Sequence, residues 1–202
     1  MFERPSFFLR NLYPNATWRI KTEEKRVILT FDDGPIPEVT PWILDLLKKY
    51  QIKATFFMVG ENIVKHPSVF ERVVNEGHQV GNHTFNHLKA WSVKKSYYFE
   101  NIEKSTQNYN SSFFRPPYGQ LYPWYLKELL NKFERVVLWD VLSRDYDRSL
   151  TPQQVFENVK TNVRPGSIIV FHDSVKSFEN IKYALPASID YLLEQNYTFD
   201  IL

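Results

Sequence analysis

The sequence predicts a single-domain α/β fold, a distorted (β/α)7 barrel, from three observations. Short β-branched and aromatic runs alternate with helically spaced apolar residues through nearly the whole chain, which calls for parallel strands joined by right-handed crossovers. Seven such runs can be counted, one short of a complete eight-stranded barrel. The chemically distinctive residues fall directly after these runs, at the strand ends where barrels open their sites.

In chain order the strands are expected at 27–31, 54–59, 79–81, 113–115, 136–139, 168–171 and 198–202. Between the first two, Thr40 can cap a helix with Pro41 in its first turn, and Val39, Trp42, Ile43, Leu46, Leu47 and Tyr50 recur at helical spacing. Val69, Phe70, Val73 and Val74 form the next helical face, which Gly77 stops. Thr151-Pro152 repeats the start signal ahead of Val155, Phe156 and Val159. The last helix carries Pro186 among Leu185, Ile189, Leu192 and Leu193, so a kink or a late start is expected there.

A chain of 202 residues can bury about 70% of the surface its unfolded form exposes. Residues 26–202 are read as the barrel domain. Residues 1–25, rich in Phe, Tyr and Trp, are read as an arm that packs on the barrel floor in preference to lying at a membrane surface. Lys and Arg total 25 against 23 acidic residues, with no basic block, which argues against a nucleic-acid partner. Absence of cysteine removes disulfides and thiolate zinc sites. Arg10 and Pro14 interrupt the apolar start before a signal-type core could form, and no run approaches the roughly 20 apolar residues of a membrane span. A cytoplasmic monomer is the expectation, with a periplasmic or membrane-associated location as the alternative.

The chemistry starts at Phe31-Asp32-Asp33-Gly34-Pro35. Two adjacent carboxylates repel, so the pair costs stability unless a cation or a proton absorbs the charge. His83 and His87 are four apart, a spacing that lets both imidazoles face one way on a helical turn. Together these residues offer a hard oxygen and two imidazoles to one divalent metal, with a second carboxylate to spare. A zinc protease would place its glutamate directly after the first histidine, where this chain has Thr84. The base then falls to Asp32 and the third ligand to Asp33. Each string alone also fits a plainer feature, a polar turn or two exposed loop histidines. His66 and His78 are read as structural or solvent-exposed.

Five ordered motifs together resemble the polysaccharide deacetylases of the NodB-homology type, carbohydrate esterase family 4. They are Thr30 to Pro35, His83 to His87, Arg115-Pro116-Pro117-Tyr118-Gly119, Asp145-Tyr146 and Val170-Phe171-His172-Asp173. The resemblance implies a barrel of the NodB type and hydrolysis of an N-acetyl amide on an amino sugar, from a chitooligosaccharide, a peptidoglycan-like polymer or a glycan intermediate. It implies that Asp33, His83 and His87 hold one divalent metal, Zn²⁺ before Co²⁺, Ni²⁺ or Mn²⁺. It further implies that Asp32 is the general base, Arg115 orients it, the Tyr118 backbone N–H binds the oxyanion, and His172 protonates the leaving amine with Asp145 behind it.

The chain departs from the family pattern at Leu142, where many members have aspartate, at Tyr146, where many have tryptophan, and at Val170, where leucine is usual. These positions bear on the acetyl-pocket wall and the sugar contacts and not on the metal. Among the aromatics expected on the rim, Trp91, Tyr118, Tyr122, Trp124 and Tyr146, the reading singles out Tyr118 and Tyr146 for sugar stacking. The rival readings are a hydrolase of acetylxylan, a cyclic ureide or a small amide on the same scaffold, and a sugar-binding protein without catalysis.

Overall fold

The computed structural model describes residues 3–107 and 109–202; Met1 and Phe2 of the arm lie outside them. The helices are α1 (Phe7–Leu12), α2 (Thr40–Tyr50), α3 (Gly60–Lys65), α4 (Pro67–Asn75), α5 (Lys95–Thr106), α6 (Leu126–Leu130), α7 (Pro152–Asn162) and α8 (Phe178–Glu194). The strands are β1 (Arg26–Asp32), β2 (Thr55–Met58), β3 (Gln79–Asn82), β4 (Phe113–Phe114), β5 (Arg135–Val136), β6 (Val141–Leu142), β7 (Ile168–His172) and β8 (Thr198–Asp200). All pairs are parallel, in the order β5-β4-β3-β2-β1-β7-β6, with β8 against the first half of β1. The sheet curls into an open barrel of the predicted class.

One strand departs from expectation. The strand expected at 136–139 is found only as the short β5, and the short β6 follows beyond the expected run, with the arm reaching into the gap between them. Thr17 N–H donates to the Val136 carbonyl at 2.8 Å, and Leu138 N–H donates to Thr17 O at 2.8 Å. Ile20 N–H donates to Gly166 O, and a Cβ on Gly166 would sit 1.9 Å from the Ile20 carbonyl, so the arm backbone fits only against a residue without a side chain. Buried Asp140 fastens the same seam, accepting from Arg10, from Arg164 at 2.9 and 2.8 Å, and from Ser167 at 2.8 Å.

The central strands β1 and β2 are buried on both faces, as parallel sheets under helices are. Val27, Leu29 and Phe31 of β1 join the core beneath α2, α7 and α8, while Ile28 joins Phe57, Phe113, Val137 and Ile168 in a separate inner cluster. Strand alternation then puts Thr30 and Asp32 on that same inner face, above the apolar floor. The sequence of one strand thus runs from sealed barrel bottom to polar rim.

Two helix details differ from the reading. Thr40 is the first residue of α2 and caps nothing; its hydroxyl accepts from Ile36 N–H and donates to Asp173 Oδ2 at 2.7 Å. The buried Asp173 side chain, which would otherwise lack a partner for this oxygen, takes the hydroxyl away from the helix end. Helix α8 runs through Pro186 without a late start; the carbonyl that the proline leaves without its N–H belongs to Lys182, an exposed residue. Thr151 and Pro152 start α7 as expected, and Thr151 also forms a capping box with Gln154. Among the described residues no helix is long and apolar enough to cross a membrane.

Candidate active site

The five motifs meet at the C-terminal rim around a cavity of about 550 Å³. Asp33 follows β1 with φ 90°, and Thr84, His87 and Tyr118 also have positive φ, at 64°, 58° and 59°. Non-glycine residues rarely adopt this region, and such strain collects at functional sites. Residues 83–87 are therefore not the helical turn expected. Asn82 Oδ1 accepts from Thr84 N–H at 2.8 Å, and Thr84 Oγ1 accepts from Leu88 N–H at 2.9 Å. These local bonds fold the segment back so that the two rings lie 5.1 Å apart.

Asp33, His83 and His87 each present one ligand atom, all within 4.8 Å of one another. His87 Nε2 lies 3.1 Å and His83 Nε2 3.8 Å from Asp33 Oδ1. His83 is 2% exposed, and its Nδ1 is 2.8 Å from the Arg115 carbonyl, which fixes the proton on Nδ1 and leaves the Nε2 lone pair toward Asp33. Burial, with His87 nearby, pulls the His83 imidazole down to about 4, so it stays neutral, as a ligand must. Burial would raise the Asp33 carboxyl, but the imidazoles of His87, His172 and His83 outweigh it and hold it far below the usual carboxylate range. The donor set fits a divalent metal.

Beside this cluster stand two proton-handling pairs. Arg115, 1% exposed, donates from Nη1 to Asp32 Oδ1 at 2.6 Å and to Thr30 Oγ1 at 2.8 Å. Its Nη2 reaches the Leu138 carbonyl at 3.0 Å, and the guanidinium lies 4.0 Å over the Phe57 ring. Across the cavity His172 Nδ1 is 2.7 Å from Asp145 Oδ1, while Asp145 Oδ2 accepts from His172 N–H at 2.7 Å. Burial lowers the His172 imidazole, yet Asp145, then Asp33 and Asp32, carry it up to about 9. One side of the cavity therefore holds a carboxylate oriented by a cation, and the other an imidazolium.

The remaining predicted residues also line the cavity. Tyr118 lies with its hydroxyl 3.1 Å from His87 Nδ1, and Tyr146 packs edge-on against His172 at 4.9 Å. Val170 and Leu142 are register partners on β7 and β6 and give an apolar wall beside Trp139. The sequence reading missed Asp173. Fully buried, it accepts from Gly34 N–H at 2.9 Å and from the Thr40 hydroxyl, and burial pushes it up to about 8. Its signal was present: a second acid directly after His172, at the end of an apolar strand. His78 is buried and structural, its Nδ1 accepting from Ala54 N–H.

The family model described as polysaccharide deacetylase matches residues 19–136, more than half of the chain. A peptidoglycan-N-acetylglucosamine deacetylase of Bacillus cereus is 40% identical over 154 residues, 73% of this chain and 56% of that protein. A second Bacillus cereus protein of the same description is 32% identical over 194 residues, 91% of this chain and 89% of its own length. Among solved structures, that of a peptidoglycan N-acetylglucosamine deacetylase in complex with 4-naphthalen-1-yl-N-oxidanyl-benzamide superposes with a TM-score of 0.89 at 33% identity, covering 98% of this chain and 95% of the other. Asp145 and His172 lie beyond the stretch matched by the family model, and they reach the same cavity through the fold.

Proposed function

The chain belongs to the polysaccharide deacetylase family, and from that premise we propose that it is a metal-dependent hydrolase that removes N-acetyl groups from amino sugars of a carbohydrate polymer. The products are a free amine and acetate. The observation that carries this reading is the placement of two proton-handling groups, Asp32 with Arg115 and His172 with Asp145, on either side of one three-donor cluster.

Asp33, His83 and His87 would hold the metal, and two imidazoles with one carboxylate favour Zn²⁺ over Co²⁺, Ni²⁺ or Mn²⁺. When bound, the metal polarises the acetyl carbonyl and makes water more acidic. Asp32 is the general base: Arg115 keeps its carboxylate oriented toward the cavity, and it takes a proton from the attacking water. The water oxygen bonds to the acetyl carbon, and the backbone N–H of Tyr118 is the donor we assign to the resulting oxyanion. The C–N bond then breaks, its electron pair stays on nitrogen, and His172 delivers a proton there. Asp145 holds that imidazole charged and correctly turned. Val170, Leu142 and Trp139 supply an apolar wall suited to the acetyl methyl, and Tyr146 beside His172 is suited to contact the sugar.

An acid as strongly supported as His172 favours an amide, whose amine leaves badly without a proton, over acetylxylan-type esters. Retention of Asp32, Arg115 and His172 disfavours a binding protein without catalysis. The site is assembled from one chain, which supports a monomer. The test is acetate release from N-acetylglucosamine oligomers by Zn²⁺-loaded protein, with and without a chelator. Release that stops on chelation and returns with Zn²⁺ is expected; no release from the loaded protein overturns the reading.

A further inference from the structure

The arm begins at the rim of the cavity and not on the barrel floor. Glu3 O accepts from Leu142 N–H at 2.8 Å, and the Glu3 carboxylate accepts from Arg144 Nη1 at 2.6 Å. One residue near the start of the chain thus grips both ends of the segment 142–144. Leu142 lines the cavity, and Asp145 and Tyr146 follow directly.

Arg144 is the pivot of this turn. Its φ is 61°, in the left-handed region that costs a non-glycine residue conformational energy, so the conformation persists only where its surroundings hold it. Arg144 Nη2 donates to Asp147 Oδ2 at 2.7 Å, and the Arg144 carbonyl accepts from Asp147 N–H at 2.9 Å, but both bonds lie within the turn itself. Ser143 N–H donates to Val170 O at 3.1 Å and Asn180 Nδ2 donates to Asp145 O at 2.8 Å, which fixes the side facing β7 and α8. Among the described residues, Glu3 is the one ion-pair partner that Arg144 has from outside the turn. Asp145 commits both carboxylate oxygens to His172, each at 2.7 Å, so a rotation of the turn reaches the imidazole.

We propose that Glu3 is a positioning residue for the reaction: through Arg144 it sets the turn that keeps Asp145 on His172. The Glu3 and Arg144 side chains are partly exposed, 31% and 25%, so their pairing adds little to folding. The arm is fastened separately, through Thr17, Ile20 and the Arg10–Asp140 pair. The effect of Glu3 is therefore on geometry. This rests on the assignment of His172 as the acid in the reading above.

The test gives the Zn²⁺-loaded protein two substrates. An N-acetylglucosamine oligomer loses its amine only with a proton, whereas the phenolate of 4-nitrophenyl acetate leaves without one. Glu3→Ala should lower kcat on the oligomer about tenfold, within the loss that slight misplacement of a reacting group causes, with KM, metal content and aryl-ester turnover unchanged. Glu3→Gln, whose amide oxygen still accepts from Arg144, should restore most of the rate. In proton NMR, the His172 Nδ1 proton held by Asp145 should give a low-field resonance in the native protein and in Glu3→Gln, and should broaden by exchange with water in Glu3→Ala. An unchanged oligomer rate or resonance in Glu3→Ala, or an equal loss on both substrates, overturns the proposal. A resonance lost in Glu3→Ala and kept in Glu3→Gln, from a protein that releases no acetate from the oligomer, would sustain the role of Glu3 and overturn the deacetylase reading.

Discussion

Asp173 occupies the space that a side chain on Gly34 would need: a Cβ built there falls 1.8 Å from Asp173 Oδ2. Its other oxygen accepts the Gly34 N–H, and the Thr40 hydroxyl closes the arrangement from the start of α2. The turn that carries Asp33 is thus built around a carboxylate from a different strand.

Asp173→Ala should weaken metal binding by about 10- to 100-fold, the usual effect of losing support behind a ligand. Alanine removes both contacts, to the Gly34 N–H and to the Thr40 hydroxyl, and leaves a cavity behind the turn. Competition with a chromophoric chelator measures the affinity, with circular dichroism confirming the fold. An affinity equal to that of the native protein would remove Asp173 from this role.

Replacing His83 or His87 with alanine should abolish stoichiometric metal, since each deletes one of three protein donors. Asp32→Asn should keep the metal and lose at least about 10²-fold in turnover, because the amide cannot accept the proton. Elemental analysis beside acetate release separates the two classes. Metal lost from Asp32→Asn and kept by Asp33→Asn would exchange the assignments.

The high-pH limb of the rate profile should report His172 losing its proton. The imidazole is raised toward about 9 from 6.5 by Asp145, Asp33 and Asp32, and a bound cation that neutralises Asp33 brings the limb lower. Asp145→Asn should move it lower again, with metal intact, and His172→Ala should abolish it. The same shift predicts stability: the pair's contribution is complete below about 6.5 and is lost as pH rises through about 9. A limb unmoved in Asp145→Asn at full metal occupancy would leave the acid to another group.

Asp140 should matter to stability and not to chemistry. Burial would raise its carboxyl, but Arg164, Arg10 and Ser167 hold it at about 2. Its contribution is present above its ordinary value of 3.8 and is lost as pH falls through about 2. Asp140→Ala, which leaves the partly exposed guanidinium groups of Arg10 and Arg164 without their partner, should cost about 1.5 kcal/mol in urea unfolding. A change below about 0.5 kcal/mol would contradict the anchoring role.

The positions of most strands and the rim position of the motifs were legible because apolar runs and polar ends recur along the chain, a local signal. The geometry of His83 and His87 was not, since spacing alone suits a helix while Asn82 and Thr84 fold the segment otherwise. Thr40 reads as a cap from its neighbours in sequence, and its partner Asp173 is 133 residues away. Trp91 and Trp124, expected on the rim, are indeed exposed. For Thr40 the deciding contact is distant in the chain, and for His83 and His87 it is a local side-chain-to-backbone bond; periodicity carries information on neither.

The arm has one more consequence. The sheet ends in β5 and β6, each two residues long, and unpaired strand edges are templates for pairing with another molecule. Thr17 spends its own amide and carbonyl on 136–138, so the backbone groups next to β5 are already taken. The segment from Thr17 to Ile20 therefore covers strand backbone as well as packing on the barrel, and a chain lacking it would offer an opened seam to its own copies.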